Sequence, residues 1–501
     1  MANVIEIKSM SISFRNNPTK PILQNINFLI SSPTLVSIMG ESGAGKSLFG
    51  FSILSKEYLY EAISEYKLFN CDGVNIQNVS NDYFAYIPQE PLSSLNPVIS
   101  VLKHFELNGN LKLNKSELNV HSSKLLKEVG FPNHKEILEK YPHELSGGMA
   151  QRVLIALALQ NNPRVLIADE ATSSLDAVNE KIILDLLKNI SLSRGLTTIL
   201  ITHDLRVAIT YCSKHYQIMG DTLAPLSTAE ILSQNRRLGN EDDKNSFKAS
   251  TSHSPSKYLV EMEKLSFSYD KGKEVLTDIN FKIREKEFVG LIGLSGSGKS
   301  TITKLLMKLY EPNSGQCLFD GEDISKMKAK LYAQKVQIVF QDLYGSLNPK
   351  RKILDILSDS FLVKDQYSNT NKENLIHKNL ANLGLQKDIL ARFPGSLSGG
   401  QRQKILILKA LLVRPELIIF DEPMSSLDTK SQGEIIKIIK TLYLEENLTI
   451  LLITHDYRLL QILCNRVMVL SSGTIVENGE TLEVFTKPKH SETKKILEVV
   501  K

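Results

Sequence analysis

Two eight-residue segments, GESGAGKS at 40–47 and GLSGSGKS at 293–300, have the glycine spacing of a phosphate-binding loop. Glycines let a backbone curl until several N–H groups face one anion. The positive end of a following helix adds to that field. In the first segment the cradle is Gly40, Ser42, Gly43, Ala44 and Gly45; in the second it is Gly293, Ser295, Gly296, Ser297 and Gly298. Lys46 and Lys299 are expected to reach the β- and γ-phosphates, with the hydroxyls of Ser47 and Ser300 on Mg²⁺. A phosphate-bearing ligand with Mg²⁺ is therefore expected at each loop. Either segment alone could be a chance glycine-rich turn. Two copies, each between a strand-like run and a helical stretch, oppose that.

Further polar residues recur at matching places. Asp169 and Asp421 end the apolar runs RVLIAD and LIIFD and are expected in the metal shell. Glu170 and Glu422 follow directly and are candidates to polarise an attacking water. LSGG occurs twice, as Ser146, Gly147 and Gly148 and as Ser398, Gly399 and Gly400 after a leucine. Such a start to a helix is either a cap or a second anion site. His203 and His455 each lie 33 residues beyond the corresponding glutamate.

The chain is thus one unit written twice. Lys46 and Lys299 are 253 residues apart. The pairs Gln89/Gln341, Ser146/Ser398, Glu170/Glu422 and His203/His455 are each 252 apart. The expected domains are 1–234 and 258–501, joined by a polar, Ser-rich linker at 235–257. Each half opens with an alternating segment (VIEIKSMSISF, LVEMEKLSFSY) that reads as a strand. An apolar strand (LVSIMG, FVGLIG) enters the glycine loop, and two further apolar strands end in Asp-Glu and in Thr-His-Asp. Strands alternating with helices predict an α/β fold with a mainly parallel sheet in each half. Ligands of such sheets bind at the carboxyl ends of strands, and every polar motif is predicted to sit just after a strand. The segment 473–490 has no clear copy in the first half.

Composition narrows the class. Apolar residues make up 42% of the 501 and charged residues 23%, values of a globular chain. No run of about 18 apolar residues is present to span a bilayer, and the N-terminus does not read as a signal peptide. Four scattered cysteines without C-x-x-C spacing predict reduced thiols rather than a zinc site. A net charge of +5 over the whole chain does not call for nucleic acid.

The order phosphate loop, Gln, LSGG, Asp-Glu, SSLD, His resembles the ATP-binding cassette (ABC) ATPases over nearly the whole chain. The resemblance implies two tandem P-loop NTPase domains, each with an antiparallel β subdomain and a helical subdomain beside the core sheet. It implies an intramolecular head-to-tail pair with two composite ATP sites. One would combine Lys46, Ser47, Gln89, Asp169, Glu170 and His203 with Ser398 and Gly400. The other would combine Lys299, Ser300, Gln341, Asp421, Glu422 and His455 with Ser146 and Gly148. Gln89 and Gln341 would join the metal shell, both histidines would contact the γ-phosphate, and Asp176 and Asp428 would link the sites. Phe14 and Tyr269 stand where an aromatic residue stacks on adenine.

YIPQEPLSSLNPVISV, VFQDLYGSLNPKRKI, YPHELSGGM and FPGSLSGGQRQ resemble the ATPases of bacterial peptide/nickel importers, here fused. That implies two integral-membrane permease subunits and, indirectly, an extracytoplasmic solute-binding protein. It also implies a place on the cytoplasmic side of the inner membrane. The second loop continues with Thr301 and the first with Leu48, which lacks a hydroxyl for the α-phosphate. Ala171 replaces a usual proline, present as Pro423. No key Lys, Asp, Glu or His is missing, so both sites are expected to hydrolyse ATP. The alternative is a soluble twin-cassette ATPase acting on ribosomes or DNA.

Overall fold

The computed structural model describes residues 3–500 except 42, 56–60, 110–112, 174, 176, 239–256, 270–273, 295, 341, 343–344, 363–368, 425–426, 428 and 447. The chain divides into two compact units, 1–239 without 176–178, and 240–501 with 176–178.

In the first unit three apolar runs form wholly buried strands: β3 (Leu35–Met39), β8 (Val165–Asp169) and β9 (Thr197–Ile201). Runs of Val, Ile and Leu buried on both faces can be satisfied only inside a covered sheet. With β7 (Phe84–Ile87), β10 (Lys214–Met219) and β11 (Thr222–Leu226) they form one sheet in the order β11-β10-β3-β9-β8-β7. All its neighbours are parallel except the edge hairpin β10–β11. A second, antiparallel sheet is built on β1 (Ile5–Phe14) and β2 (Asn17–Ile30) with β4 (Ala62–Glu65), β5 (Leu68–Cys71) and β6 (Val74–Asn75). One apolar core joins the two sheets, taking Phe28 and Phe69 from the antiparallel sheet, Ile38 and Ile167 from the parallel sheet, and Phe49 from the helix Lys46–Ile53. The other face of the parallel sheet packs on helices Val101–Asn108, Lys115–Glu128 and Gly147–Ala158.

The second unit repeats this plan. Its parallel sheet uses β14 (Phe288–Gly293), β17 (Val336–Val339), β18 (Leu417–Asp421), β19 (Thr449–Ile453), β20 (Arg466–Ser471) and β21 (Thr474–Glu480). The order β17-β18-β19-β14-β20-β21 is the first unit's order, strand for strand. Its antiparallel sheet is β12 (Tyr258–Phe267), β13 (Leu276–Arg284), β15 (Ser314–Phe319) and β16 (Glu322–Asp323).

Two expectations are corrected. The segment 473–490 does have a first-half counterpart. β11 and helix Thr228–Leu238 follow β10 as β21 and helix Thr481–Thr486 follow β20. Pro225 hid it, because proline argues against a strand; on a sheet edge its missing N–H costs nothing. The LSGG motifs do not follow strands. Each follows a 3₁₀ turn, Pro142–Glu144 or Pro394–Ser396, whose proline sets the first helical φ. Helix Thr228–Leu238 runs a few residues into the segment 235–257. No helix among the described residues is long and apolar enough to cross a membrane.

The first unit buries a polar pair at a place where the second has apolar residues. His215 Nδ1 lies 2.9 Å from Ser37 Oγ, and its Nε2 lies 3.3 Å from Thr228 Oγ1. The matching strand positions hold Val467 and Gly290. Burial holds the His215 imidazole below its ordinary range. The unfolded chain therefore takes up a proton near pH 6.5 that the folded chain refuses until lower pH. Stability should fall as pH drops through that window, and level off below the folded-state value. Thermal melts between pH 7.5 and 5 should show the first unit losing stability. Combining His215→Val with Ser37→Gly should flatten that slope, and an unchanged slope would assign the acid sensitivity elsewhere.

Candidate functional site

Each glycine loop leaves its strand and passes directly into a helix, Lys46–Ile53 or Lys299–Leu306. Gly45 (φ 91°) and Gly298 (φ 108°) make that turn in the left-handed region, where a side chain is strained. The loop lysines are folded back over the loops. Lys46 Nζ donates to the carbonyls of Gly40 and Glu41, both at 3.0 Å. Lys299 Nζ donates to those of Gly293 (2.7 Å) and Leu294 (3.0 Å). An ammonium has three donors, and two of them fix the chain and the charge at the mouth of the helix. Gly43, Ala44, Gly296 and Ser297 complete the described part of the loops, and Ser47 and Ser300 are the second residues of the helices, directly after the lysines.

Asp169 and Asp421 close β8 and β18, and the next residues are conformationally unusual. Glu170 has φ 44° and Glu422 φ 50°. A non-glycine residue in this region costs roughly 1–3 kcal/mol, and such strain gathers at functional sites. The neighbouring strand holds the turn, since Glu170 N–H donates to Ile201 O and Glu422 N–H to Ile453 O, both at 2.9 Å.

The turned glutamates meet the histidines. Glu422 Oε1 lies 2.9 Å from His455 Nδ1 and accepts the His455 N–H at 3.0 Å, while Oε2 accepts from Thr454 Oγ1 at 3.1 Å. Glu170 Oε1 lies 3.3 Å from His203 Nδ1 and 3.8 Å from Lys46 Nζ. Burial alone would raise the Glu170 carboxyl. The His203 hydrogen bond and the charges of His203 and Lys46 outweigh it, so the carboxyl sits below its ordinary range. Burial likewise opposes the charge on both imidazoles, yet their glutamate partners raise His203 and His455 above the usual histidine range. Each histidine follows a strand and precedes a helix capped by the next residue, Asp204 or Asp456.

Ser146 and Ser398 are N-caps of helices Gly147–Ala158 and Gly399–Leu412, accepting from Met149 N (3.3 Å) and Gln401 N (3.2 Å). Gly147 and Gly399 begin these helices, and Gly148 and Gly400 are buried in their first turns. Phe14 ends β1 and Tyr269 lies just beyond β12; both are exposed. Ser42, Asp176, Ser295, Gln341 and Asp428 lie outside the described residues.

The residues present suit Mg²⁺, a hard cation that takes one or two carboxylates, waters and phosphate oxygens. The Asp169 carboxyl is buried and hydrogen-bonded by the Ser47 hydroxyl. Gln89 donates through Nε2 to Glu170 Oε2 at 3.1 Å, which leaves its amide oxygen for a ligand. Burial raises the carboxyl of Asp169; it raises that of Asp421 to about 6, with the Glu422 charge adding. A dication replaces the missing solvation of such groups.

Sequence reasoning missed Tyr86. Its hydroxyl donates to Asp169 Oδ2 at 2.9 Å, and its ring packs 4.7 Å from Phe51. Ile338 holds the same strand position in the second unit. The one signal was a tyrosine three residues before Gln89 on a strand facing the Asp169 strand. Tyr86→Phe should destabilise the first unit by about 1–3 kcal/mol, the cost of taking a partner from a buried charged acceptor. Ile338→Val should cost about 0.5–1.5 kcal/mol, a lost methyl only. Denaturant titration of the two variants checks both.

Comparison with known proteins agrees with this geometry. A family profile described as ABC transporter matches residues 23–173 and 276–425. The ABC transporter ATP-binding protein YejF of Escherichia coli K12 is 30% identical, over 99% of this chain and 99% of its own. The peptidoglycan transport ATP-binding protein YejF of Agrobacterium fabrum is 30% identical over 99% and 96%. The glutathione import ATP-binding protein GsiA of Escherichia coli K12 is 31% identical over 99% and 89%.

Proposed function

This chain belongs to the ABC transporter family and carries that family's ATPase domain twice, and on that premise we propose that it energises a bacterial importer of peptide-like solutes. The observation that carries the proposal is a constellation present in both units. A loop lysine, a strand-end aspartate and a left-handed glutamate bonded to a histidine stand together at the carboxyl ends of β3, β8 and β9, and again at those of β14, β18 and β19. Relatives of nearly the same length are named for glutathione import and peptidoglycan transport. Those names favour peptide-like cargo over nickel, and transport over work on ribosomes or DNA.

In this reading the loop N–H groups and Lys46 or Lys299 hold the phosphates of ATP. Ser47 with Asp169, and Ser300 with Asp421, hold Mg²⁺, which neutralises charge on the phosphate oxygens. Glu170 or Glu422 takes a proton from the attacking water. His203 or His455 orients that glutamate and faces the γ-phosphate. Ser398 and Gly400 complete the site of Lys46, and Ser146 and Gly148 that of Lys299, with Asp176 and Asp428 between. ATP then closes the two units, and hydrolysis reopens them. Closure drives transport only through contacts that differ between two states of a permease. The chain is placed at the cytoplasmic face of the inner membrane, on two permease subunits served by an external solute-binding protein.

The test is to tag the chain in its own cell, solubilise membranes gently and identify what co-purifies by mass spectrometry. Two polytopic permeases are the expected partners. Ribosomal proteins or nucleic acid, with the chain in the soluble fraction, would refute the importer and favour the alternative.

A further inference from the structure

We propose that Lys304 and the Tyr269 hydroxyl fix the Thr301 hydroxyl as a hydrogen-bond donor to a nucleotide phosphate, making the second loop the tighter nucleotide site. The inference rests on the nucleotide reading above and concerns how one of the two loops is tuned.

Tyr269 Oη lies 3.2 Å from Thr301 Oγ1, a contact in which either oxygen could donate. Lys304 favours one direction, because a phenol oxygen that already accepts from an ammonium is a poorer acceptor for a second donor and its proton a better donor. Its Nζ donates to Tyr269 Oη at 3.4 Å and sits 5.4 Å from the centre of that ring. An ammonium can only donate, so it uses the phenol oxygen as acceptor and leaves the phenol proton to point elsewhere. Thr301 Oγ1 is the acceptor within reach. Once Thr301 accepts there, its own proton is free for another acceptor. A threonine in a helix commonly spends that proton on a carbonyl one turn back. Thr303, two residues on, does so to Lys299 O at 3.2 Å. Thr301 stands in the first turn, beside Ser300 and Lys299, where an anion is the acceptor to be expected. Hydrogen bonds in a chain polarise one another, and here the chain begins on a cation.

The first unit lacks all three members. Counted from the loop lysines, Phe51 stands in place of Lys304 and Leu48 in place of Thr301; Phe14 takes the strand-end place of Tyr269. Phe14 keeps a stacking face without a hydroxyl. Phe51 turns to Tyr86 instead. A hydroxyl relay works only when donor and acceptor are both present, so joint replacement is the pattern such a relay would leave.

Calorimetric titration of ADP into the full-length chain tests this, with Lys46→Met silencing the first loop. Tyr269→Phe keeps the ring and Thr301→Val keeps the shape. Each should weaken ADP binding about tenfold, as expected for one hydrogen bond to a charged acceptor. The double variant should be no weaker than either single one, and Thr301→Ser should restore most of the affinity. If stacking were the only role of Tyr269, Tyr269→Phe would bind as the parent does. That result, or additive losses in the double variant, would overturn the relay while leaving the nucleotide reading intact. A parent that binds no ADP would instead overturn the nucleotide reading, and the relay with it.

Discussion

Replacing Glu170 and Glu422 together with glutamine should leave ATP binding intact and slow hydrolysis by roughly 10²–10⁴-fold, the span expected for loss of a general base. Size and hydrogen bonding are largely kept. A glutamine oxygen at 422 can still accept from the His455 N–H, and the rotatable Thr454 hydroxyl can accept where it donated before. At 170 the new amide faces Gln89 Nε2, also a donor, so that contact must rearrange. The single Glu422→Gln variant is therefore the cleaner of the two. Phosphate release and equilibrium ATP binding, measured on the same preparations, separate the outcomes. Lost turnover with retained binding assigns both glutamates to the chemical step. Unchanged turnover in both single variants and the double variant would remove them from it.

These glutamates show how far the sequence could be read. Apolar runs buried on both faces made β3, β8, β9 and their partners legible, because only a strand inside a parallel sheet satisfies such a run. The offset of 252–253 residues made the duplication legible, and with it the matching strand order of the two sheets. The order of motifs named Lys, Asp, Glu and His. It did not show that Glu170 and Glu422 occupy the left-handed region, because a glutamate carries no preference for it; the backbone bond to the next strand imposes it. Tyr86 escaped for a different reason. A tyrosine in a strand is ordinary, and only the register of β7 on β8 brings its hydroxyl to Asp169. The strand holding Pro225 was illegible because edge position, which excuses the proline, belongs to the tertiary fold.

The second large effect concerns the loop lysines. Lys46→Met and Lys299→Met should each weaken nucleotide binding at their own loop by about 10- to 150-fold, the range for charge-assisted hydrogen bonds of 1.5–3 kcal/mol. Lys46 is buried, and its ammonium holds two loop carbonyls besides facing Glu170. Methionine fills the same channel with an apolar stem. It leaves those carbonyls without their donor and Glu170 with one cation fewer. The empty first loop should therefore lose some stability along with its affinity. At the second loop Lys299 makes the equivalent two bonds, and its charge acts on Asp421 and His455. Lys299→Met should likewise cost some stability along with affinity. Melting temperature with and without MgATP separates the two effects. Each variant should lower the nucleotide-free value, and each should remove the ligand-induced rise contributed by its own loop. An unchanged nucleotide-free value would mean that the carbonyl bonds of that lysine add nothing to the fold. An undiminished rise in either variant would mean that the corresponding lysine does not hold the phosphates.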